Sequence, residues 1–243
     1  MKKIVFTFDD GVETHYTRVA PLFEEHDMTA TFFVTGQRDL WRKPGVGAHP
    51  AQAETIMGWS EIRSLDEAGF EIGNHTWGHP GGFRLGSKET ATYQLARLNK
   101  EFSRKGISAP STFSYPGYQV STWLVEALTE MSFSFARAGY APGVGSRVKY
   151  LRDVSETSYY VPGVTNPFLV PCTGILGFYP DAANLYSFER FVSDMRRMPD
   201  NNVAVFNNHG VVYDKLYDEL VAVVEHVASE GYETICLRDL PVK

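Results

Sequence analysis

Short runs of β-favouring residues alternate with stretches of helical periodicity along most of the 243-residue chain. Strand-like composition is found in KIVFTF, TATFFVTG, FEIGNH, STFSYP, FSFARAG and NVAVFNNHG, and most of the segments between them carry apolar residues at helical spacing. Repeated β–α units favour a parallel sheet with helices outside, closed or nearly closed as a barrel. We therefore predict an α/β fold.

Two local features qualify this pattern. Residues 139–182 are rich in Gly, Pro and Tyr and lack helical periodicity, which predicts an irregular excursion from the fold. In WSEIRSLDEAG, Ser60 is a candidate N-cap and Gly69 a candidate terminator of one helix. We find no internal repeat and no linker composition, so residues 1–243 are expected to form a single domain.

Composition excludes several classes of function. The net charge of −6 and the lack of a Lys/Arg stripe argue against nucleic-acid binding. No apolar run reaches the length of about 20 residues that a membrane span needs. The start of the chain does not resemble a signal peptide, so a cytoplasmic location is expected, or a secreted one if a signal peptide was removed. The oligomeric state is left open.

Four predicted strands end in unusual polar residues. Because catalytic groups of parallel barrels lie at the carboxyl ends of the strands, we expect these residues to meet at one rim. The four segments are Asp9-Asp10-Gly11, Asn74-His75-Thr76-Trp77-Gly78-His79, Tyr115-Pro116-Gly117-Tyr118 and Asn207-Asn208-His209-Gly210.

His75 and His79 are four residues apart, and a helical turn would place both imidazoles on one side for chelation of a divalent ion. Such a pair also arises by chance or for packing. Adding a carboxylate from a strand end gives a His-His-Asp set with open positions, which is typical of a catalytic metal site. One of Asp9 and Asp10 would bind the metal, and the other would act as a base.

Alternatives exist for these residues. Asp9-Asp10-Gly11 also fits a turn with a helix N-cap, whereas an aspartyl-phosphate phosphatase would require Asp-x-Asp and is disfavoured. His209 fits a buried, hydrogen-bonded histidine, but its position at a strand end suits a general acid near neutral pH. His15 is assigned no role, although it is close to Asp10 in sequence.

The motifs TFDDG, NHTWGH, FSYPGY and VFNNHG, in this order, resemble the polysaccharide deacetylases of carbohydrate esterase family 4, the NodB homology domain. The resemblance extends over nearly the whole chain. It implies a distorted (β/α) barrel with about seven parallel strands. It also implies a hydrolase that removes N- or O-linked acetyl groups from an acetylated oligo- or polysaccharide, with one divalent metal ion: zinc most commonly, or cobalt or nickel.

Carried over to this sequence, the resemblance makes Asp10, His75 and His79 the metal ligands. Asp9 would be the general base and His209 the general acid. The backbone N–H of Gly117 would help to hold the oxyanion.

The sequence departs from the family pattern in the groups that surround the base. Ser114 stands where the family has an arginine that orients the base, and the acid that pairs with that arginine is missing too. Arg137 is either the replacement that orients Asp9 or a surface arginine at a loop edge. Asn207 stands where the family has a leucine that lines the pocket for the acetyl methyl group. A polar side chain at this position puts specificity for acetyl groups in doubt.

Two other functions remain open on the same scaffold. One is metal-independent hydrolysis of a cyclic imide or another non-peptide C–N bond, although metal-free relatives tend to lose the ligands that are intact here. The other is a carbohydrate-binding protein without catalysis, which would need neither Asp9 nor His209.

Overall fold

The computed structural model describes residues 1–37, 55–139, 159–174, 187–211 and 214–242. Six α-helices are described: Ala20–Glu25 (α1), Trp59–Glu67 (α2), Lys88–Lys105 (α3), Thr122–Glu130 (α4), Phe188–Arg197 (α5) and Asp214–Ser229 (α6). Nine strands are described: Lys3–Phe8 (β1), Thr31–Val34 (β2), Glu71–Asn74 (β3), Thr112–Ser114 (β4), Phe135–Arg137 (β5), Tyr159–Tyr160 (β6), Thr173–Gly174 (β7), Val203–Asn208 (β8) and Glu233–Thr234 (β9).

The central sheet runs in the order β5-β4-β3-β2-β1-β8, with every neighbouring pair parallel. The segment 170–174 links its two edges, because Val170 forms a parallel bridge with Arg137 of β5 and β7 pairs in parallel with β8. The parallel strands therefore curl into a barrel whose two edges are linked by this segment, and the predicted (β/α) barrel is confirmed. The link is short, which makes the barrel distorted.

Successive side chains of each strand alternate between the two faces of the sheet. On β1, Phe6 and Phe8 pack with the outer layer that includes residues of α1, α5 and α6, whereas Val5 packs inside the barrel against Phe33 and Val205. Towards the carboxyl ends of the strands, the inward positions become polar and buried. These positions are Thr7, His75, Ser114, Arg137 and Asn207.

Details of two predictions are corrected. Helix α2 begins at Trp59 with Gly58 as its N-cap, so Ser60 lies inside the helix, and Glu61 Oε2 accepts a hydrogen bond from the Gly58 N–H. Of the predicted excursion at 139–182, residue 139 and residues 159–174 are described, and the rest lies outside the described residues. The described portion contains β6, β7 and a 3-10 turn at Pro167–Leu169.

None of the helices in the described part of the chain combines the length and the apolarity that crossing a membrane would require. The assignment of the chain to one domain stays a prediction.

Candidate metal centre

Asp10, His75 and His79 converge at the carboxyl-end rim of the barrel. Asp10 Oδ1 lies 3.5 Å from His75 Nε2 and 3.3 Å from His79 Nε2. One ligand atom from each residue lies within 4.8 Å of the other two. The three side chains predicted as metal ligands are therefore neighbours in space. Asp10 follows β1 and the two histidines follow β3, so they come from distant parts of the sequence.

The two histidines meet by a different route from the one predicted. Residues 75–79 form an irregular loop rather than a helical turn, with Thr76 at φ +67° and His79 at φ +54°. Both values lie in the left-handed region, which is costly for residues other than glycine. Helix α3 supports this loop, because the Gly78 N–H donates to Gln94 Oε1 over 2.8 Å.

The arrangement fits a divalent cation. His75 Nδ1 lies 2.8 Å from the Ser114 carbonyl oxygen, which is an acceptor, so Nδ1 carries a proton and Nε2 is the nitrogen that faces Asp10 and would bind an ion. Asp10 Oδ1 is buried and receives no hydrogen bond of acceptable geometry from a described residue. Ligand atoms bound tetrahedrally to zinc lie about 3.3–3.4 Å apart, close to the two measured Asp10–histidine distances.

The pKa shifts favour metal-binding forms for two of the three ligands. Burial raises the pKa of Asp10, but the nearby imidazoles of His75, His79 and His209 outweigh it and hold this pKa well below its usual value. Burial, helped by His75, lowers the pKa of His79 to about 4. For His75, burial is outweighed by Asp9 and Asp10, which raise its pKa, so a cation would have to displace a proton there.

Asp9 faces a different partner. Arg137 is fully buried and donates from Nη2 to Asp9 Oδ2 and to Ser114 Oγ, and the Ser114 hydroxyl donates to Asp9 Oδ1 over 3.3 Å. The interpretation of Arg137 as a surface residue is therefore wrong. Burial raises the pKa of Asp9, but the charges of Arg137, His75 and His209 outweigh it, and the pKa is lowered overall.

His209 lies on the other flank of Asp10, with Nε2 at 3.9 Å from Asp10 Oδ2 and a quarter of its side chain exposed. Burial lowers the pKa of His209 more than Asp10 and Asp9 raise it. Gly117 follows β4 in a turn at φ +60°, and no described residue accepts a hydrogen bond from its N–H. The catalytic roles of these residues stay predictions.

His15 is a residue that the sequence did not assign to the site. It is fully buried, with its ring centroid 5.4 Å from that of Phe8 and 5.5 Å from that of Phe32. Burial lowers its pKa to about 4, so it is neutral, and its Nε2 lies 3.2 Å from the His209 carbonyl oxygen. Its nearness to Asp10 in sequence was the only signal that it belongs here.

Comparison with known proteins agrees with this geometry. The profile of the family described as "Polysaccharide deacetylase" matches residues 1–136. A Bacillus cereus protein named peptidoglycan-N-acetylglucosamine deacetylase is 27% identical over 133 residues, which are 54% of this chain and 54% of that protein. A chitin deacetylase of Colletotrichum lindemuthianum is 30% identical over 77 residues, 32% of this chain and 27% of that protein.

A similar fold is found in the solved structure of a family 4 acetyl xylan esterase from Clostridium thermocellum in complex with a cobalt ion. The TM-score is 0.58 at 20% identity, and the match covers 98% of this chain and 90% of that one. The chain thus spans about half or less of the length of the two curated relatives named above, but nearly all of this fold. Since the family profile matches more than half of the sequence, the chain belongs to the polysaccharide deacetylase family.

Proposed function

We propose that this protein is a metal-dependent hydrolase that removes acetyl, or a similarly small acyl group, from an amino or hydroxyl group of a carbohydrate. The observation that carries the proposal is the convergence of three ligand atoms beside a buried carboxylate and an imidazole. Asp10, His75 and His79 would hold the ion, with zinc favoured by the two imidazoles and one carboxylate. When bound, a divalent ion supplies a Lewis acid for the acyl carbonyl and lowers the pKa of a neighbouring water.

Asp9 would remove a proton from the attacking water. A carboxylate offers about four lone-pair positions. In this site Arg137 and Asn207 approach Oδ2, and the Ser114 hydroxyl occupies one position on Oδ1. No described residue donates to the remaining position on Oδ1, where the water would bind, and the three donors fix the direction in which this position lies. Arg137 therefore serves as a positioning residue for the base.

His209 would donate a proton to the departing nitrogen or oxygen. Water adds to the acyl carbon, the C–N or C–O bond breaks, and the products are a carboxylic acid and a free amine or hydroxyl group. The His15 contact to the His209 carbonyl oxygen holds the backbone that carries the acid. The unused N–H of Gly117 would donate to the oxygen that becomes negative during attack.

The test begins with metal content and acid release. Protein purified without chelator is assayed for bound metal, and for acetate release from chitooligosaccharides, peptidoglycan fragments and acetylated xylan with zinc, cobalt or nickel added. Asp10→Ala and His79→Ala should lose most of the bound metal. Asp9→Asn should keep the metal and lose at least about a hundredfold in kcat.

Asp218→Ala and Asp218→Asn are matched controls, because Asp218 is an exposed aspartate on α6, and both should behave as wild type. If no stoichiometric metal is found and none restores activity, the metal mechanism is wrong and metal-independent C–N hydrolysis becomes the better hypothesis. If Asp9→Asn keeps a rate near wild type, Asp9 is not the base. Binding of an acetylated glycan without any acetate release would favour a non-catalytic role.

A further inference from the structure

Two polar side chains next to Asp9 have hydrogen-bonding capacity that no described residue uses. Asn207 is 1% exposed, and its Nδ2 lies 2.6 Å from Tyr118 Oη and 3.5 Å from Asp9 Oδ2. The Asp9 carboxylate fixes the orientation of the amide, because the amide oxygen would be repelled there. Both protons of Nδ2 are thus engaged, and no described residue donates a hydrogen bond to Asn207 Oδ1.

Tyr118 supplies the complementary group. Its hydroxyl accepts a hydrogen bond from Asn207, and none of the described residues accepts one from it. Burial raises the pKa of Tyr118, so the phenol keeps its proton and remains a donor. The pair of Tyr118 and Asn207 therefore presents one unused donor and one unused acceptor.

The backbone of Tyr118 adopts a strained conformation that its surroundings maintain. Its φ is +56°, which is rare for an aromatic residue. Its ring packs on Gly139, where a Cβ would come within 2.6 Å of the ring, and the Arg137 guanidinium carbon lies 5.5 Å from the ring centroid. Strain that the surroundings maintain is concentrated at functional sites, and here it fixes the position of the hydroxyl.

The position of these two residues indicates which part of a substrate would meet them. This step rests on the proposed function. The leaving group must face His209, so the other substituent of the carbonyl carbon, the acyl tail, points away from His209 and towards the Asp9 side. Asn207 is buried inside the barrel, whereas a quarter of the His209 side chain is exposed. A short acyl tail is much smaller than a sugar ring, so the acyl tail is the part of the substrate that would approach Asn207.

We propose that Tyr118 and Asn207 bind the hydroxyl of a hydroxyacetyl (glycolyl) group, which makes an N- or O-glycolylated sugar a better substrate than its acetylated counterpart. A hydroxyl group both accepts and donates, so it matches the tyrosine O–H and the amide oxygen. The methyl group of acetyl would leave both unpaired, and sites built to bind a substrate hydroxyl discriminate strongly against analogues without it. Hydrolysis then releases glycolate and the free amine or hydroxyl group, with water as the co-reactant.

The first test compares two substrates that differ by one oxygen atom. Zinc-loaded protein is assayed on oligomers of N-glycolylglucosamine and of N-acetylglucosamine, and kcat/KM should be at least tenfold higher for the glycolyl substrate. Tyr118→Phe and Asn207→Leu should each lower the glycolyl-to-acetyl ratio by at least tenfold. Tyr93→Phe, an exposed tyrosine on α3, should leave the ratio unchanged. An acetyl preference in the wild type, or an unchanged ratio in both site variants, overturns the proposal.

The second test does not depend on the identity of the glycan. Binding of the product acids glycolate and acetate to zinc-loaded protein is measured by calorimetry, with zinc content and melting temperature checked for each variant. Glycolate chelates zinc by itself, but this contribution is common to wild type and Tyr118→Phe. A glycolate-over-acetate preference that falls at least fivefold in Tyr118→Phe supports the proposal, and an equal preference in the two proteins refutes it.

The two tests separate the two proposals. If acetate is released from glycans but the ratios do not respond to Tyr118→Phe, the proposed hydrolase stands and the glycolyl preference fails. If no acyl group is released from any glycan but the variant loses its glycolate preference, the pocket assignment stands and the proposed catalysis fails.

Discussion

Replacing Arg137 with Met should destabilise the protein by about 3–5 kcal/mol, the usual cost of removing one partner of a buried ion pair. Arg137 is fully buried and Asp9 is 4% exposed, so solvent cannot take over the lost contact. After the substitution, the donors to Asp9 that remain among the described residues are the Ser114 hydroxyl and the more distant Asn207 amide. Met has a similar length and is apolar, which limits the cavity and leaves the uncompensated carboxylate as the main cost.

The matched control is Arg63→Met. Arg63 also pairs with a carboxylate, Glu67, over 3.4 Å, but half of its side chain is exposed, so the expected cost is below about 1 kcal/mol. Urea unfolding at a fixed zinc concentration measures both variants, because bound metal adds to the apparent stability. The double variant Asp9→Asn, Arg137→Met should be at least about 2 kcal/mol more stable than Arg137→Met alone, since it removes the unpaired charge.

Two results would refute this reasoning. Arg137→Met could prove no more costly than Arg63→Met, in which case the guanidinium does not compensate a buried charge. Alternatively, the double variant could show the sum of the two single losses, in which case Asp9 and Arg137 do not interact in solution. A large coupling between the two residues supports the assignment of Arg137 as the residue that holds the base.

Three further predictions address other groups. Burial lowers the pKa of His15 from 6.5 to about 4, so the unfolded chain binds the extra proton. Acidification through this range should remove about 3 kcal/mol of stability on account of His15, and this part of the pH slope should be missing from His15→Gln in urea titrations. Glu71→Ala should cost about 2–4 kcal/mol in urea unfolding, because the buried Thr31 and Thr112 hydroxyls lose their acceptor, and a cost below about 1 kcal/mol would contradict this. His209→Ala should slow amide hydrolysis more than aryl ester hydrolysis, and equal losses in kcat would argue against an acid role.

The strand ends were predictable from sequence because they depend on local pattern. KIVFTF reads as a buried strand, and β1 spans the same residues, Lys3–Phe8. Once β1 and β3 are parallel members of one sheet, Asp10 and His75 must emerge at the same edge. The resemblance to the polysaccharide deacetylases, carried by four short motifs, identified the family from these same strand ends.

The closing segment of the barrel could not be predicted. It makes its sheet contacts through Val170 and the two residues of β7, which is too short a stretch to show any periodicity. The conformation of the loop at 75–79 could not be predicted from its own sequence either. Its left-handed residues Thr76 and His79 are stabilised by contacts to other elements, such as the one between Gly78 and Gln94 of α3.

The role of Arg137 depends on a contact across 128 residues of sequence. FSFARAG predicts a strand, but alternation alone does not say which of its faces lies inside a barrel. Only the approach of β1 and β4 decides that Arg137 points inwards, where Asp9 and Ser114 receive its hydrogen bonds. A surface arginine and a buried one therefore had the same local sequence signature.

The adjacent aspartates are compatible because the backbone separates them. Asp9 continues the strand, with its N–H bonded to the Asn208 carbonyl, and its side chain points into the barrel towards Arg137. Asp10 follows at φ +74°, and this turn directs its carboxylate to His75 and His79 instead. The protein's own guanidinium thus neutralises one carboxylate permanently. The other lies beside imidazoles, and together with His75 and His79 it forms a set of donors whose remaining negative charge is suited to a divalent cation.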